Sequence, residues 1–151
     1  MKVVERLAEL GLALPPVAAP VAAYVPAVRS GDHVFTSGQL PMVSGTLAAT
    51  GKVGADVGAD QAKELAQICA LNALAAAGTV CDIDQIAQVV KVVVFVSSAA
   101  GFNGQPGVAN GASELFGAVF GDAGKHARSA VGVPELPLDA PVEVEVIFAL
   151  R

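Results

Sequence analysis

Charge is scarce in this chain. Of 151 residues only 15% are Asp, Glu, Lys or Arg, and 14 acids against 9 bases leave a net charge of −5. Tryptophan is absent, tyrosine occurs once, and no basic block appears. The electrostatic and stacking footprint of a nucleic-acid binder is therefore missing. The two cysteines, Cys69 and Cys81, make no disulfide framework and no CxxC pair, so two reduced thiols in a cytoplasmic protein are expected. With His33 and His126 as the only histidines, a dedicated zinc or iron site would lack ligands. No metal is expected, and both histidines read as surface or loop residues.

Other machinery is missing too. Gly51-Lys52 and Gly124-Lys125 are followed by neither Ser nor Thr and lack the earlier glycine of a phosphate loop. No GxGxxG follows a strand and no GxSxG elbow occurs, although spacing alone leaves a Ser-His-Asp triad open. Glu5, Arg6 and Glu9 interrupt any signal-peptide core. Leu10 to Val28 is uncharged but carries Pro15, Pro16, Pro20 and Pro26, and Val92 to Ser113 is uncharged but rich in Gly, Asn, Gln and Ser. Neither reads as a membrane span.

What is present is apolar. Hydrophobic residues make up 54% of the chain and mean hydropathy is +0.60, which excludes disorder. The length suits one domain over residues 1–151, with residues 1–20 as an N-terminal helix and proline-rich extension. So thin a coat of charge predicts that part of the surface is buried against copies of the chain.

The pattern predicts a short helix over Val3 to Leu12 and an extended proline-rich run to Pro26. Tyr24 to Arg29 and His33 to Leu40 flank Ser30-Gly31-Asp32 and read as a hairpin. Pro41 to Gly58 is a Gly-rich connection. Ala59 to Ala77 is the clearest helix, with Leu65, Ile68 and Leu71 or Asn72 at helical spacing and Gly78 as a left-handed C-terminal residue. After a turn at Asp82 to Asp84, the β-branched run Ile86 to Ser97 reads as a central strand buried on both faces. Ala99 to Gly107 is a loop, Val108 to Phe120 a second helix, Arg128 to Val133 a strand and Pro134 to Pro141 a loop. Val142 to Leu150 alternates strictly, with Glu143 and Glu145 opposite Val142, Val144, Val146 and Phe148. The order ββαβαββ predicts an α+β domain, with hairpins at both ends and two helices on one face of a mixed sheet. The bare face again points to an oligomer.

One residue stands out. Arg128 opens an otherwise apolar strand, and a side chain that cannot lose its charge needs an anion there. Glu143 or Glu145 on the neighbouring strand would serve, and so would an external carboxylate gripped by the guanidinium and backbone N–H groups. Lys91 poses the same question in mid-strand and is expected to pair with Glu145.

The order and spacing of several short motifs resemble the RidA/YjgF family of reactive-intermediate deaminases, from about Tyr24 to Leu150. The matching pieces are Tyr24-Val25, Thr36-Ser37-Gly38-Gln39-Leu40-Pro41, Ala76-Ala77-Gly78, Val94-Phe95-Val96, Ala127-Arg128-Ser129, and Leu136-Pro137 followed by Val142-Glu143-Val144-Glu145. The resemblance implies a chorismate-mutase-like fold and a homotrimeric barrel with clefts between subunits. It also implies cofactor-free hydrolysis of 2-aminoacrylate or 2-iminobutanoate to 2-keto acids and ammonia. By the same resemblance Arg128 holds the substrate carboxylate and Glu143 handles water and protons, while Tyr24, Ser37, Gly38, Asn110 and the Ala130 position line the cleft. Four departures stand out: Ala130 replaces the usual Cys, Ala22-Ala23 replaces Gly-Pro, Pro134-Glu135 alters the segment after the Arg128 strand, and the N-terminal extension through Pro20 is longer than usual. A non-catalytic carboxylate-binding or regulatory trimer is the alternative. A ribonuclease or translation inhibitor fits the acidic charge poorly.

Overall fold

The computed structural model describes residues 1–20 and 23–151. Helix α1 (Val3–Glu9) precedes strands β1 (Ala27–Ser30) and β2 (His33–Thr36), the short pair β3 (Met42–Val43) and β4 (Thr46–Leu47), and helix α2 (Ala59–Ala77). Strand β5 (Ile86–Ser97), helix α3 (Gln105–Phe120), strand β6 (Ala127–Val133) and strand β7 (Val142–Leu150) complete the chain. The mixed α+β expectation holds, with three α-helices and a mostly antiparallel sheet. Of the Ala22-Ala23 departure, Ala22 lies outside the described residues.

The five main strands lie in the order β1-β2-β7-β5-β6, and β3 and β4 form a separate ribbon. Every neighbouring pair in the main sheet is antiparallel except β5 with β6. This corrects the expected hairpin at the C-terminal end. Strand β7 enters between β2 and β5, so β6 and β7 are never neighbours, and β5 separates them. A parallel β5–β6 pair needs a crossover connection, and α3 supplies it. The connection expected to be only Gly-rich also holds the β3–β4 ribbon, tied down by the Asn72 amide, which donates to the Leu40 and Met42 carbonyls at 3.1 Å each.

Period-two alternation decides which face each residue takes. Val142, Val144, Val146 and Phe148 of β7 are paired with, or next to, Val92, Val94, Val96 and Val34, and all are buried beneath the helices. Burying one such side chain contributes about 1.5–3 kcal/mol. The other face is open. Val28, Phe35 and Val131 there are 53%, 43% and 43% exposed, so β5 is buried on one face and not on both. Two register irregularities in β5, between Ile86 and Gln88 and between Val89 and Lys91, break its alternation. Lys91 faces Ile147 and Val93 faces Glu145 in the register, and among the described residues Lys91 has no ion-pair partner. The expected Lys91–Glu145 pair is absent.

Helix ends also adjust the sequence reading. Gly78 is right-handed, with φ −62°, so it closes α2 as a continuing turn and does not use its left-handed freedom. Helix α1 stops at Glu9, and Gly11 turns the chain with φ +75°. Helix α3 starts three residues before the expected Val108, at Gln105, with Pro106 in its first turn. No helix among the described residues is long and apolar enough to cross a membrane.

Helices α2 and α3 approach closely at Gly111, where an added Cβ would strike the Lys63 carbonyl and lie 3.2 Å from Ala66 Cβ. Gly117, on the exposed side of the same helix, has nothing within 4 Å of that position. Two alanine substitutions one and a half turns apart therefore have opposite expected signs. In urea denaturation Gly111→Ala loses about 2–3 kcal/mol through overpacking, whereas Gly117→Ala gains up to about 1 kcal/mol of helix propensity.

Candidate active site

Two polar centres emerge, on opposite faces of the sheet. Arg128 pairs in register with Val92, a fully buried residue, so its side chain stands on the helix side of edge strand β6. There Nη1 donates to Asn110 Oδ1 at 2.7 Å and to Ser113 Oγ at 3.1 Å, both on α3. No carboxylate lies within ion-pair distance among the described residues. The internal pairing of Arg128 with Glu143 or Glu145 is therefore corrected: β7 is two strands away, and its acidic residues point to the other face. Ser113, His126, Lys125 and Arg128 line an open cavity of about 330 Å³. Among the described residues the guanidinium has neutral partners on Nη1 only, which leaves much of its fork available to an anion.

Ser113 was not singled out by sequence, and His126 was expected only in a surface or loop role. His126 Nδ1 meets the Gly124 carbonyl at 2.7 Å, and its Nε2 meets Ser113 Oγ at 2.8 Å. A carbonyl only accepts, so Nδ1 carries a proton; in the neutral ring Nε2 then accepts from the Ser113 hydroxyl. The Phe116 ring lies edge-on to the imidazole, with centroids 6.1 Å apart. No periodicity could have linked Ser113 to a residue thirteen positions later; the α3-to-β6 crossover does so. His126 is thus a half-buried member of a hydrogen-bonded chain, beyond the surface or loop role expected of it.

The second centre surrounds Glu143. Alternation puts its carboxylate on the open face, opposite buried Val142 and Val144. The chain after β2 runs beside it: Gln39 and Val144 exchange backbone bonds at 2.8 and 3.0 Å. An added Cβ on Gly38 would lie 2.8 Å from Glu143 Cδ and overlap Oε1, so glycine makes room for the acid. Glu143, Gly38, Tyr24, Pro137 and the Ala18-Ala19-Pro20 stretch line a cavity of about 70 Å³. The same stretch walls a larger apolar hollow of about 650 Å³ against Ile68 and Leu71 of α2, so the N-terminal extension shapes this side of the molecule. Ser37 Oγ donates to the Val25 carbonyl at 2.6 Å, which ties the end of β2 to the Tyr24 segment. Burial pushes the Glu143 carboxyl above its ordinary value, and neighbouring Glu145 adds to the effect.

The expected site residues thus fall into two groups. Arg128 and Asn110 meet directly, while Glu143, Gly38 and Tyr24 share a cavity that Ser37 does not line. Ala130 lies on the Arg128 side of β6, packed against the apolar core, and lines neither cavity. Cys69, fully buried, and Cys81 are both unpaired thiols. Burial raises the pKa of Cys69 well above the usual thiol value, which leaves it an inert core residue.

A chorismate-mutase-like α+β architecture carrying an unpaired arginine and a half-buried glutamate defines the class. The sequence profile of the family described as "YjgF/chorismate_mutase-like, putative endoribonuclease" matches residues 4–150. The chain belongs to the RidA/YjgF family. It is 43% identical to Protein TCP17 of Trypanosoma cruzi, over 99% of this chain and 95% of that protein. It is 33% identical to the 2-iminobutanoate/2-iminopropanoate deaminase of Escherichia coli K12, over 88% of this chain and 91% of that enzyme. A crystal structure from Shewanella oneidensis, titled a putative endoribonuclease, superposes with a TM-score of 0.95 at 30% identity, covering 99% of this chain and all of that one.

The raised Glu143 value has a definite thermodynamic sign. A carboxyl whose folded pKa exceeds its unfolded one favours the fold while protonated, and that contribution is lost as pH rises through the folded value. Glu143→Gln, permanently neutral, is expected to melt a few degrees above wild type at neutral pH. The gap closes below the ordinary glutamate range, about pH 4. Thermal melts across pH check this; an equal gap at every pH contradicts it.

Proposed function

We propose that this protein hydrolyses small 2-imino acids, or their enamine tautomers, to 2-keto acids and ammonia without a cofactor. The carrying observation is the Arg128 guanidinium, which among the described residues has only Asn110 and Ser113 as acceptors and opens onto a cavity. Such a fork suits a carboxylate held at two points. The distant relatives named as deaminases lend support at 33% identity.

Clamping the carboxylate fixes the adjacent imine carbon in reach of water. Glu143 takes a proton from that water as the O–C bond forms and the C=N π pair moves onto nitrogen, which receives that proton to give the carbinolamine. Glu143 then takes the hydroxyl proton as the carbonyl forms and delivers it to nitrogen as the C–N bond breaks and ammonia leaves. A carboxyl with a raised pKa is suited to both halves of this exchange. Tyr24 walls the cleft, Gly38 gives the acid its space, and Ser37 holds the Tyr24 segment in place.

Arg128 and Glu143 of one protomer stand on opposite faces of the sheet, two strands apart, and cannot reach one substrate together. A complete site on this reading uses Arg128 from one protomer and Glu143 from the next, in the homotrimer the resemblance implies. The exposed Val28, Phe35 and Val131 on the open face supply the apolar area such an assembly would bury.

The test generates 2-aminoacrylate or 2-iminobutanoate in a coupled assay and follows the keto acid. Wild type should accelerate hydrolysis over buffer, and Arg128→Ala should lose about 100-fold in kcat/KM through the lost clamp. Glu143→Gln should lose kcat while retaining keto-acid binding. With Glu143 acting as base, the wild-type rate falls as pH drops through its raised value. Carboxylate binding without turnover on either substrate would replace catalysis by the regulatory-trimer reading.

A further inference from the structure

The Arg128 fork faces its cavity beside a hydroxyl whose single proton is already committed. With His126 neutral, the Ser113 O–H donates to Nε2 at 2.8 Å, and Ser113 Oγ accepts from Arg128 Nη1 at 3.1 Å. Only an oxygen lone pair then remains for the cavity, and it repels an incoming carboxylate. A proton on Nε2 reverses the bond. The imidazolium donates to Oγ, and the Ser113 hydroxyl is released to point its own proton at the ligand. Nδ1 keeps its bond to Gly124 in both states, so the ring need not move.

From this geometry we propose that Ser113 is a ligand-binding residue of the anion site and His126 its positioning residue. Protonation of His126 converts Ser113 into a second donor beside Arg128. The inference rests on the carboxylate reading of Arg128 given above and adds to it a proton taken up with the ligand. The charged groups on the elements around the imidazole favour this coupling. Among the described residues Arg128 on β6 has no ion-pair partner, and Lys91, in register with Ala127, stands on the open face beside Phe35 and Glu145, away from the imidazole. Lys125 and Asp122 pair with each other at 3.0 Å, Glu114 on α3 pairs with Lys63 at 3.0 Å, and Arg6 of α1 pairs with Glu9 at 2.8 Å. No unpaired carboxylate among them is available to neutralise an imidazolium. An anion docked on Arg128 would attract a positive charge on the adjacent imidazole.

The probe is 2-oxobutanoate, an anion throughout the working range, titrated calorimetrically into the full chain at about pH 8 and about pH 5.5, the span in which imidazoles change charge. Buffers of different ionisation heat report the protons taken up. Wild type should bind roughly tenfold tighter at the acid end, the gain of one charge-assisted hydrogen bond, with protons taken up on binding. His126→Gln should bind at the weak alkaline level at both pH values, and Ser113→Ala should lose most of the acid gain. Nitrogen NMR of wild type gives a variant-free readout: His126 carries its proton on Nδ1 in the empty protein, and ligand at fixed pH drives it to the imidazolium. Binding that Arg128→Ala abolishes but that is flat with pH, or an imidazole that stays neutral at saturation, overturns this inference and leaves the Arg128 reading intact. Absence of binding by wild type at every pH overturns both.

Discussion

The pleat of the sheet is the constraint from which the functional geometry follows. Side chains alternate, so Val92 beside Arg128 fixes the guanidinium on the helix face, and Val142 and Val144 around Glu143 fix the acid on the other. Strand β5 stands between them. No rotamer change carries a side chain through a packed sheet, and shifting the register by one residue would turn every core valine outward. The two chemical groups are thus as firmly separated as the core is firmly packed. Each has its own local support: Asn110 and Ser113 for the arginine, and the side-chain-free Gly38 for the glutamate.

That separation gives the low charge content a meaning beyond solubility. One face of the sheet is covered by α2 and α3, while the other presents Val28, Phe35 and Val131 to solvent along with Glu143 and Glu145. A face that mixes apolar strands with a half-buried acid fits a surface whose neighbour is another copy of the chain. Burial and the nearby Glu145 both push the Glu143 carboxyl upward, and further covering would push it the same way. On the proposed reading, assembly and acid–base chemistry would be coupled through Glu143.

Much of the fold was legible because it rests on local periodicity. Ala59 to Ala77 is a helix at the predicted bounds, and the Val142 to Leu150 alternation assigns faces correctly. Strand neighbours were less legible. Nothing in the spacing of β6 and β7 tells that β7 inserts between β2 and β5, so Glu143 and Glu145 were expected beside Arg128. The same non-local step hid Ser113 and His126, which meet only because the α3 crossover returns the chain to the sheet. Gly78 misled because a glycine at a helix end permits a left-handed turn without requiring one. Arg128 itself was visible from residue chemistry, a permanent cation in an apolar strand, whereas Glu143 came into the site through the family resemblance.

The central claim is that a working site draws its arginine and its glutamate from different protomers. Subunit complementation tests it directly: Arg128→Ala and Glu143→Gln proteins are dissociated together, reassembled and assayed for imine hydrolysis, with mixed assembly verified by native mass spectrometry. Each variant alone should be nearly inactive, and random mixing should restore about a quarter of wild-type activity, the fraction of interfaces pairing the two intact residues. Verified mixed assemblies that stay as inactive as their parents would contradict the account.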